Sequence, residues 1–221
     1  MRLLLMGKGM WYDYRRERSV KIFMFWDKVS GLYDFFETVY NGKVYRGVGK
    51  RVAEEIGPDD VVLECACGTG AISRYIAPKC RKLVATDFSV GMLRQTARNC
   101  RTYDNIKIRR ADMTRLNCRD SRFDKVVAGN VIHLLDDPRA ALKELERVCK
   151  TGGKIIVPTY INASEGVNKK AVRLLEKAGA NFKRQFDLCS YQQFFEDAGY
   201  KNVSCFVVDG RMPCAVAVLT K

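Results

Sequence analysis

The chain has one histidine, His133, five prolines, no CxxC pair and no block of five or six like charges. Each scarcity closes off a class of function. A zinc site of local spacing needs cysteines or histidines paired a few residues apart. The only close pair here is Cys65 and Cys67, one residue between them, so no metal is expected. The nine cysteines, at 65, 67, 80, 100, 118, 149, 189, 205 and 214, are odd in number and sit mostly inside stretches patterned as strands or helices. They read as buried free thiols in a reducing compartment, not as a disulfide framework. No apolar run approaches transmembrane length. Only four apolar residues separate Arg2 from Gly7, which is short for a signal peptide, so the reading is an intracellular, cytoplasmic chain.

What is abundant is positive charge, +14 with a pI near 9.5. Such a balance suits nucleic acid, an anionic membrane surface or acidic substrates. The basic residues are dispersed, and the densest cluster is "RRERSVK" at 15–21. With no appended nucleic-acid module, this argues for a solvated basic surface and against a nucleic-acid partner. Aromatics are concentrated at the start: 11 of 23 fall in the first 50 residues. Ile22, Phe25, Trp26, Val29, Tyr33, Phe36 and Tyr40 follow helical spacing, with Arg15, Arg16, Arg18, Lys21 and Lys28 around them. Core packing is the default for such a stripe. A lid over a pocket or a basic helix resting on an anionic membrane is the functional alternative. Residues 1–50 are therefore read as a helical lid segment and 51–221 as one α/β domain, together large enough for a proper core.

From Val61 onward, short apolar runs alternate with amphipathic helices. Val61 to Glu64 is a buried-type strand, followed by a glycine turn and a helix from about Gly70 to Ala77. "KLVATD" (82–87), "IKIRRAD", "DKVVAGN" (124–130) and "KIIVPTY" are the next four strands. Ser89 is placed to cap a helix running to Cys100, and Asp137 caps another with Pro138 at its first position. That helix buries Ala141, Leu145, Val148 and Cys149, and Gly152-Gly153 ends it. The pattern predicts a Rossmann-like open sheet of about seven strands with helices on both faces. The C-terminal pair joined at Asp209-Gly210 is a hairpin signal, so the sheet is expected to be mixed.

The stretch "VVLECACGTGAIS" (61–73) carries the chemistry. A strand feeding a glycine turn that opens a helix puts backbone N–H groups at the sheet's carboxyl edge, where open parallel sheets bind ligands. A dinucleotide fingerprint needs a third glycine where Ser73 stands. Glu64, just before the loop, repels phosphate and suits a cationic group such as an amino acid's ammonium. Asp87 at the end of the second strand can accept from both ribose hydroxyls, and Asp112 after the third from an exocyclic amino group. Three carboxylates on successive strand ends around a glycine loop fit a nucleoside carrying a zwitterion.

At these motifs the sequence resembles the class I S-adenosylmethionine-dependent methyltransferases, in particular the ubiquinone and menaquinone biosynthesis group. "VLECACGTG" is similar to that group's "VLDVACGTG", "VATDFSVGML" to its second motif and "RRADMTRL" to its adenine-contacting motif. "FDKVVAGNVIHLLDDPRAALKELERVCKTGGKIIV" is similar to the stretch from its fourth strand to its fifth. The resemblance implies S-adenosyl-L-methionine as cofactor and S-adenosyl-L-homocysteine as product. It implies that Glu64 holds the methionine ammonium and that Ala66, Gly68 and Gly70 let the backbone approach. Asp87 would take the ribose with Phe88 and Met92 beside it, and Asp112 the adenine amino group with Met113 on the ring. Asn130 would line the methionine end. Glu64 stands where aspartate is commoner. His133, just past the fourth strand, is a candidate base, and Tyr33 in "GLYDFF" a candidate to close over the sulfonium. The acceptor side would be the N-terminal segment, the "TYINASEGV" loop and the region from Phe182 to Tyr191. These suggest a small, apolar or aromatic acceptor methylated on carbon, oxygen or nitrogen. A phospholipid headgroup or RNA methyltransferase, and a non-catalytic interaction protein of the same fold, are the alternatives. Oligomeric state has no signal in the sequence.

Overall fold

The computed structural model describes residues 41–162 and 184–221. Tyr33, the aromatic stripe from Ile22 to Tyr40 and its basic neighbours lie outside them, as do Phe182 and the end of the "TYINASEGV" loop. Seven strands form one sheet: β1 (Val61–Cys65), β2 (Lys82–Asp87), β3 (Ile106–Arg110), β4 (Phe123–Ala128), β5 (Cys149–Tyr160), β6 (Val203–Val208) and β7 (Cys214–Thr220). Their order is β3-β2-β1-β4-β5-β7-β6. β1 to β5 are parallel, and β7 runs antiparallel to both β5 and β6. The open, mostly parallel sheet with a C-terminal antiparallel hairpin is the one expected. Chain order reverses between β1 and β4, which leaves a crevice at their carboxyl ends.

The helices are α1 (Gly42–Ala53), α2 (Ser73–Ile76), α3 (Val90–Asn99), α4 (Pro138–Val148) and α5 (Leu188–Glu196). Side chains of a strand alternate between faces, and here each face has its own core. Leu63, Val126, Ile155 and Ala217 pack with Leu145 of α4 and Phe195 of α5. Val62, Val127, Ile156 and Val216 pack with Val48 of α1, Ile76 of α2 and Leu93 of α3. Strands covered on both faces read as continuous apolar runs for this reason. The α4 residues Ala141, Leu145 and Val148 are fully buried. Ser89 Oγ accepts from Met92 N (3.1 Å) and Asp137 Oδ1 from Ala140 N (3.0 Å), so both expected caps form.

Several boundaries differ from the sequence reading. The helix after the glycine loop begins only at Ser73 and passes at Ala77 into a 3-10 turn containing Pro78. Positive φ at Gly68 and Gly70 keeps the preceding residues out of the helix. α4 stops at Val148, because Cys149 is already extended and pairs with Phe123 of β4. Gly152-Gly153 thus lies within β5, at a register shift. β4 ends at Ala128, since Asn130 turns into the left-handed region (φ 52°). The hairpin loop spans the five residues 209–213, and Asn41 grips it: its Nδ2 donates to Met212 O (3.0 Å) and its Oδ1 accepts from Met212 N (3.4 Å). All nine cysteines are free, but Cys189 is exposed and Cys118 and Cys205 are half-buried, so the buried-thiol expectation fails for those three. Among the described residues, no helix is long and apolar enough to cross a membrane.

Candidate active site

Glu64 is the penultimate residue of β1 and is 1% exposed. A carboxylate without water or a cation is costly. Burial, with a smaller push from the charge of Asp87, raises its pKa to about 8; the Ser73 hydroxyl, donating to Oε2 at 2.5 Å, opposes this. The first turn of α2 therefore supplies a polar side chain that meets Glu64. At neutral pH the carboxyl holds its proton, and an incoming cation would release it.

Asp87 closes β2 and organises the loop. Its Oδ2 accepts from Gly68 N (2.9 Å) and its Oδ1 from Ser89 N (2.8 Å). The loop is tied from its other side by α3: Thr96 Oγ1 donates to Gly68 O (2.7 Å) and Asn99 Nδ2 to Thr69 O (2.9 Å). Ser73, Thr96 and Asn99 were missed by sequence reasoning. Thr96 and Asn99 sit three apart on α3 and so share a face, a legible signal had the loop been known to lie against that helix. Thr69, also missed, is 1% exposed, and its hydroxyl has no hydrogen-bond partner among the described residues. A buried hydroxyl left unpaired is costly, which marks this loop as a place built for another group.

The two glycines of the loop differ. Both have positive φ, 56° at Gly68 and 85° at Gly70. A Cβ on Gly68 meets nothing within 4 Å, whereas one on Gly70 lies 3.1 Å from Cys100 Sγ and 3.3 Å from the Thr96 backbone. Gly70→Ala is therefore expected to lower stability by about 2 kcal/mol or more, strain and crowding together. Gly68→Ala should lower it by only about 1 kcal/mol while placing a methyl in the open space of the loop. Thermal melts of the two variants check the order.

Ala66 also has positive φ (52°), rare for a residue with a side chain and a mark of backbone held by its surroundings. Phe88 lies under Arg110, whose guanidinium is 4.6 Å from the ring centroid and whose Nε donates to Phe88 O (2.9 Å). Met92 and Met113 are buried. Asp112 Oδ1 accepts from Thr114 N (2.9 Å) and Thr114 Oγ1 (2.7 Å), an Asx turn one strand over from Asp87. Asn130 donates its N–H to Pro158 O (2.8 Å), and its Oδ1 accepts from Cys214 Sγ (3.8 Å). Glu64, Asp87 and Asp112 thus stand at the carboxyl ends of three adjacent strands, with Asn130 across the β1–β4 crevice.

His133 follows β4 and is 4% exposed. Burial lowers its pKa to about 4, and Nδ1 lies 3.2 Å from Thr159 Oγ1. The imidazole is neutral at physiological pH and a weak proton acceptor. Its resonances in NMR should show no titration between about pH 5.5 and 8, where an ordinary histidine titrates near 6.5. Tyr160, the last residue of β5, stands edge-on to His133 with ring centroids 6.3 Å apart. Of the suggested acceptor region, Phe186 and Tyr191 are core residues, with Tyr191 OH donating to Val157 O. Cys67 is buried with its pKa pushed well up by desolvation and the nearby carboxylates, which makes it an inert thiol. No three His, Cys, Asp or Glu among the described residues form a group that could hold a metal ion.

The arrangement can receive a ligand with a cation at Glu64 and hydrogen-bond donors at Asp87 and Asp112. Residues 63–157 match the family described as "Methyltransferase domain". A demethylmenaquinone methyltransferase from Clavibacter sepedonicus is 32% identical over 157 residues, covering 70% of this chain and 64% of the relative. The chain thus spans somewhat under two thirds of that relative's length. A demethylmenaquinone methyltransferase from Staphylococcus aureus is 26% identical, covering 79% of this chain and 83% of the relative. Among solved structures, a SAM-dependent methyltransferase from Thermotoga maritima superposes with a TM-score of 0.71 at 19% identity, covering 90% of this chain and 99% of that one. The last likeness is one of fold.

Proposed function

We propose that this chain, which has the fold of the class I S-adenosylmethionine-dependent methyltransferases and resembles their menaquinone-biosynthesis group, is itself such an enzyme. Its acceptor in this reading is a small, apolar or aromatic molecule. The observation that carries the proposal is the trio Glu64, Asp87 and Asp112 on the ends of β1, β2 and β3 around a loop with a buried, unpartnered hydroxyl. The open space at Gly68 and the orphaned Thr69 hydroxyl fit a ligand lying against the loop.

In the proposed complex Glu64 gives up its proton and faces the donor's ammonium. Asp87 accepts from the ribose hydroxyls while its bonds to the Gly68 and Ser89 amides keep it aimed. Asp112 accepts from the adenine amino group, and Phe88, Met92 and Met113 supply apolar contact. Ala66, Gly68 and Gly70 bring backbone to the ligand, with Asn130 at the methionine end. The bound donor supplies an electrophilic methyl group on sulfonium sulfur. An acceptor would have to meet that methyl in line with the carbon–sulfur bond, so the protein's task would be chiefly alignment and exclusion of water. His133, with its depressed pKa, suits an acceptor whose proton is already acidic. Tyr33 is proposed to close over the sulfonium.

Calorimetry with S-adenosylmethionine and S-adenosylhomocysteine tests the premise: failure of both to bind overturns it. Transfer of a radiolabelled methyl group to a metabolite fraction supports the acceptor class. Label in phospholipid headgroups or RNA supports those alternatives, and binding without label in any fraction supports a non-catalytic protein.

A further inference from the structure

An open sheet has two edges, and this chain treats them differently. β3 closes one and β6 the other. An edge strand offers backbone N–H and C=O groups to any strand that can lie beside it, and soluble proteins usually blunt such edges with charge or proline. β3 is blunted in this way: Lys107, Arg109 and Arg110 lie on it, and a second copy laid against it would meet like charges. β6 reads VSCFVV, with no charge, no proline and no register shift against β7, its one neighbour among the described residues. Phe206 and Val207, two of the three large apolar side chains exposed among the described residues, lie next to each other on it at 40% each. Arg51 sits over the Phe206 ring, 3.7 Å from its centroid, and still leaves it exposed. Neighbours on a strand point to opposite faces, so both faces of the sheet present apolar surface at this edge. A run of β-branched and aromatic residues on an open edge is the pattern that recruits another strand.

Charge at the two ends of the strand selects the recruit. Lys201 stands two residues before β6 and Asp209 directly after it, both exposed. We infer that β6 pairs with β6 of a second copy, antiparallel about a two-fold axis at Cys205. In that register Lys201 of each copy faces Asp209 of the other, Val203 faces Val207, Ser204 faces Phe206 and Cys205 faces itself. The odd-numbered positions share one face, so opposite-charge pairs flank an apolar centre on both sides. An in-register parallel pairing would instead set Lys201 against Lys201 and Asp209 against Asp209. The contact is self-complementary and closes at two copies. The doubled sheet then ends on β3 at both sides, where the cations oppose further growth. Reversal of strand direction across the axis turns the β1–β4 crevices of the two copies to opposite ends of the dimer. Nothing in this pairing depends on what the crevice binds.

Sedimentation velocity of the full chain from about 1 to 200 µM tests it, since a small interface of this kind should hold at micromolar concentrations. Lys201→Asp should weaken the dimer about thirtyfold, because two attractive pairs become repulsive at once, and Asp209→Lys should do the same. Combining the two reversals should bring the dissociation constant back to within about threefold of the wild type. Val207→Lys sets a lysine against Val203 twice per dimer and should leave a monomer throughout the range. Far-UV circular dichroism of each variant should match the wild type, since all three positions are exposed. Should Asp209→Lys disturb the hairpin turn, Val207→Lys still decides. A wild type that stays monomeric at about 200 µM overturns the inference. So does a folded double reversal as weak as the single ones, or a Val207→Lys protein that still dimerises.

Discussion

Glu64→Gln should bind S-adenosylhomocysteine about a hundredfold more weakly than the wild type and yet be the more stable protein above neutral pH. Both effects have one cause. The carboxyl is buried at the end of β1, and its pKa stands near 8 against an ordinary 4.5. The folded chain therefore holds the proton more tightly than the unfolded chain does. Between about pH 4.5 and 8 the unfolded state has lost the proton while the folded state keeps it, so stability falls as pH rises through that window. Above 8 the folded chain must bury a charge. Glutamine has no proton to lose. Its advantage should be near zero at pH 4.5 and grow to on the order of 4 kcal/mol by pH 9. Urea denaturation of both proteins at pH 5, 7 and 9 measures it, and equal stability at all three pH values would sink the account.

Ligand binding should show the same proton from the other side. A cation that requires ionised Glu64 must displace its proton, so wild-type affinity should rise about tenfold per pH unit up to pH 8 and then level off. The glutamine variant should show no such slope. Calorimetry in buffers of different ionisation heat counts the released proton directly. On this view the Ser73 hydroxyl is more than packing, because it is the polar partner on Oε2 that steadies the carboxylate once formed.

The sheet was legible because both its faces are covered. Val61–Cys65 and Lys82–Asp87 are largely apolar runs with an acid at the last or next-to-last position, and a chain whose strands bury both faces cannot hide that pattern. The antiparallel end was legible in the Asp209-Gly210 turn, although the loop that formed is longer and is held by Asn41, more than a hundred residues away. The end of α4 was not legible: Val148 and Cys149 continue the helical apolar period, and only pairing with Phe123 across the sheet turns Cys149 into a strand residue. The same limit applies to the site. Glu64, Asp87 and Asp112 announce themselves at strand ends. Thr96 and Asn99 do not, because their work is to hold carbonyls of a loop more than two dozen residues earlier in the chain.

Asp87→Asn separates the two duties of Asp87. The carboxylate accepts from Gly68 N and Ser89 N with different oxygens, so it shapes the loop as well as offering lone pairs to a ribose. Asparagine has one oxygen, and its amide nitrogen can only donate. One of the two backbone amides must lose its partner, and an unsatisfied, partly buried N–H costs about 1–3 kcal/mol. Alanine removes both acceptors and should cost more, on the order of 3 kcal/mol. For the ligand, a ribose donor facing an amide N–H has repulsion where it had a charge-assisted bond, so either variant should weaken S-adenosylhomocysteine by about a hundredfold or more. Glutamate keeps the charge but is one methylene longer, and should recover only part of the binding. The decisive comparison is with Asn99→Ala, which frees Thr69 O and loosens the same loop while leaving the carboxylate in place. If Asp87→Asn melts like Asn99→Ala but binds far more weakly, recognition lies in the carboxylate. If the two lose binding in proportion to lost stability, Asp87 acts only by holding the loop, and the assignment of the ribose to it is wrong.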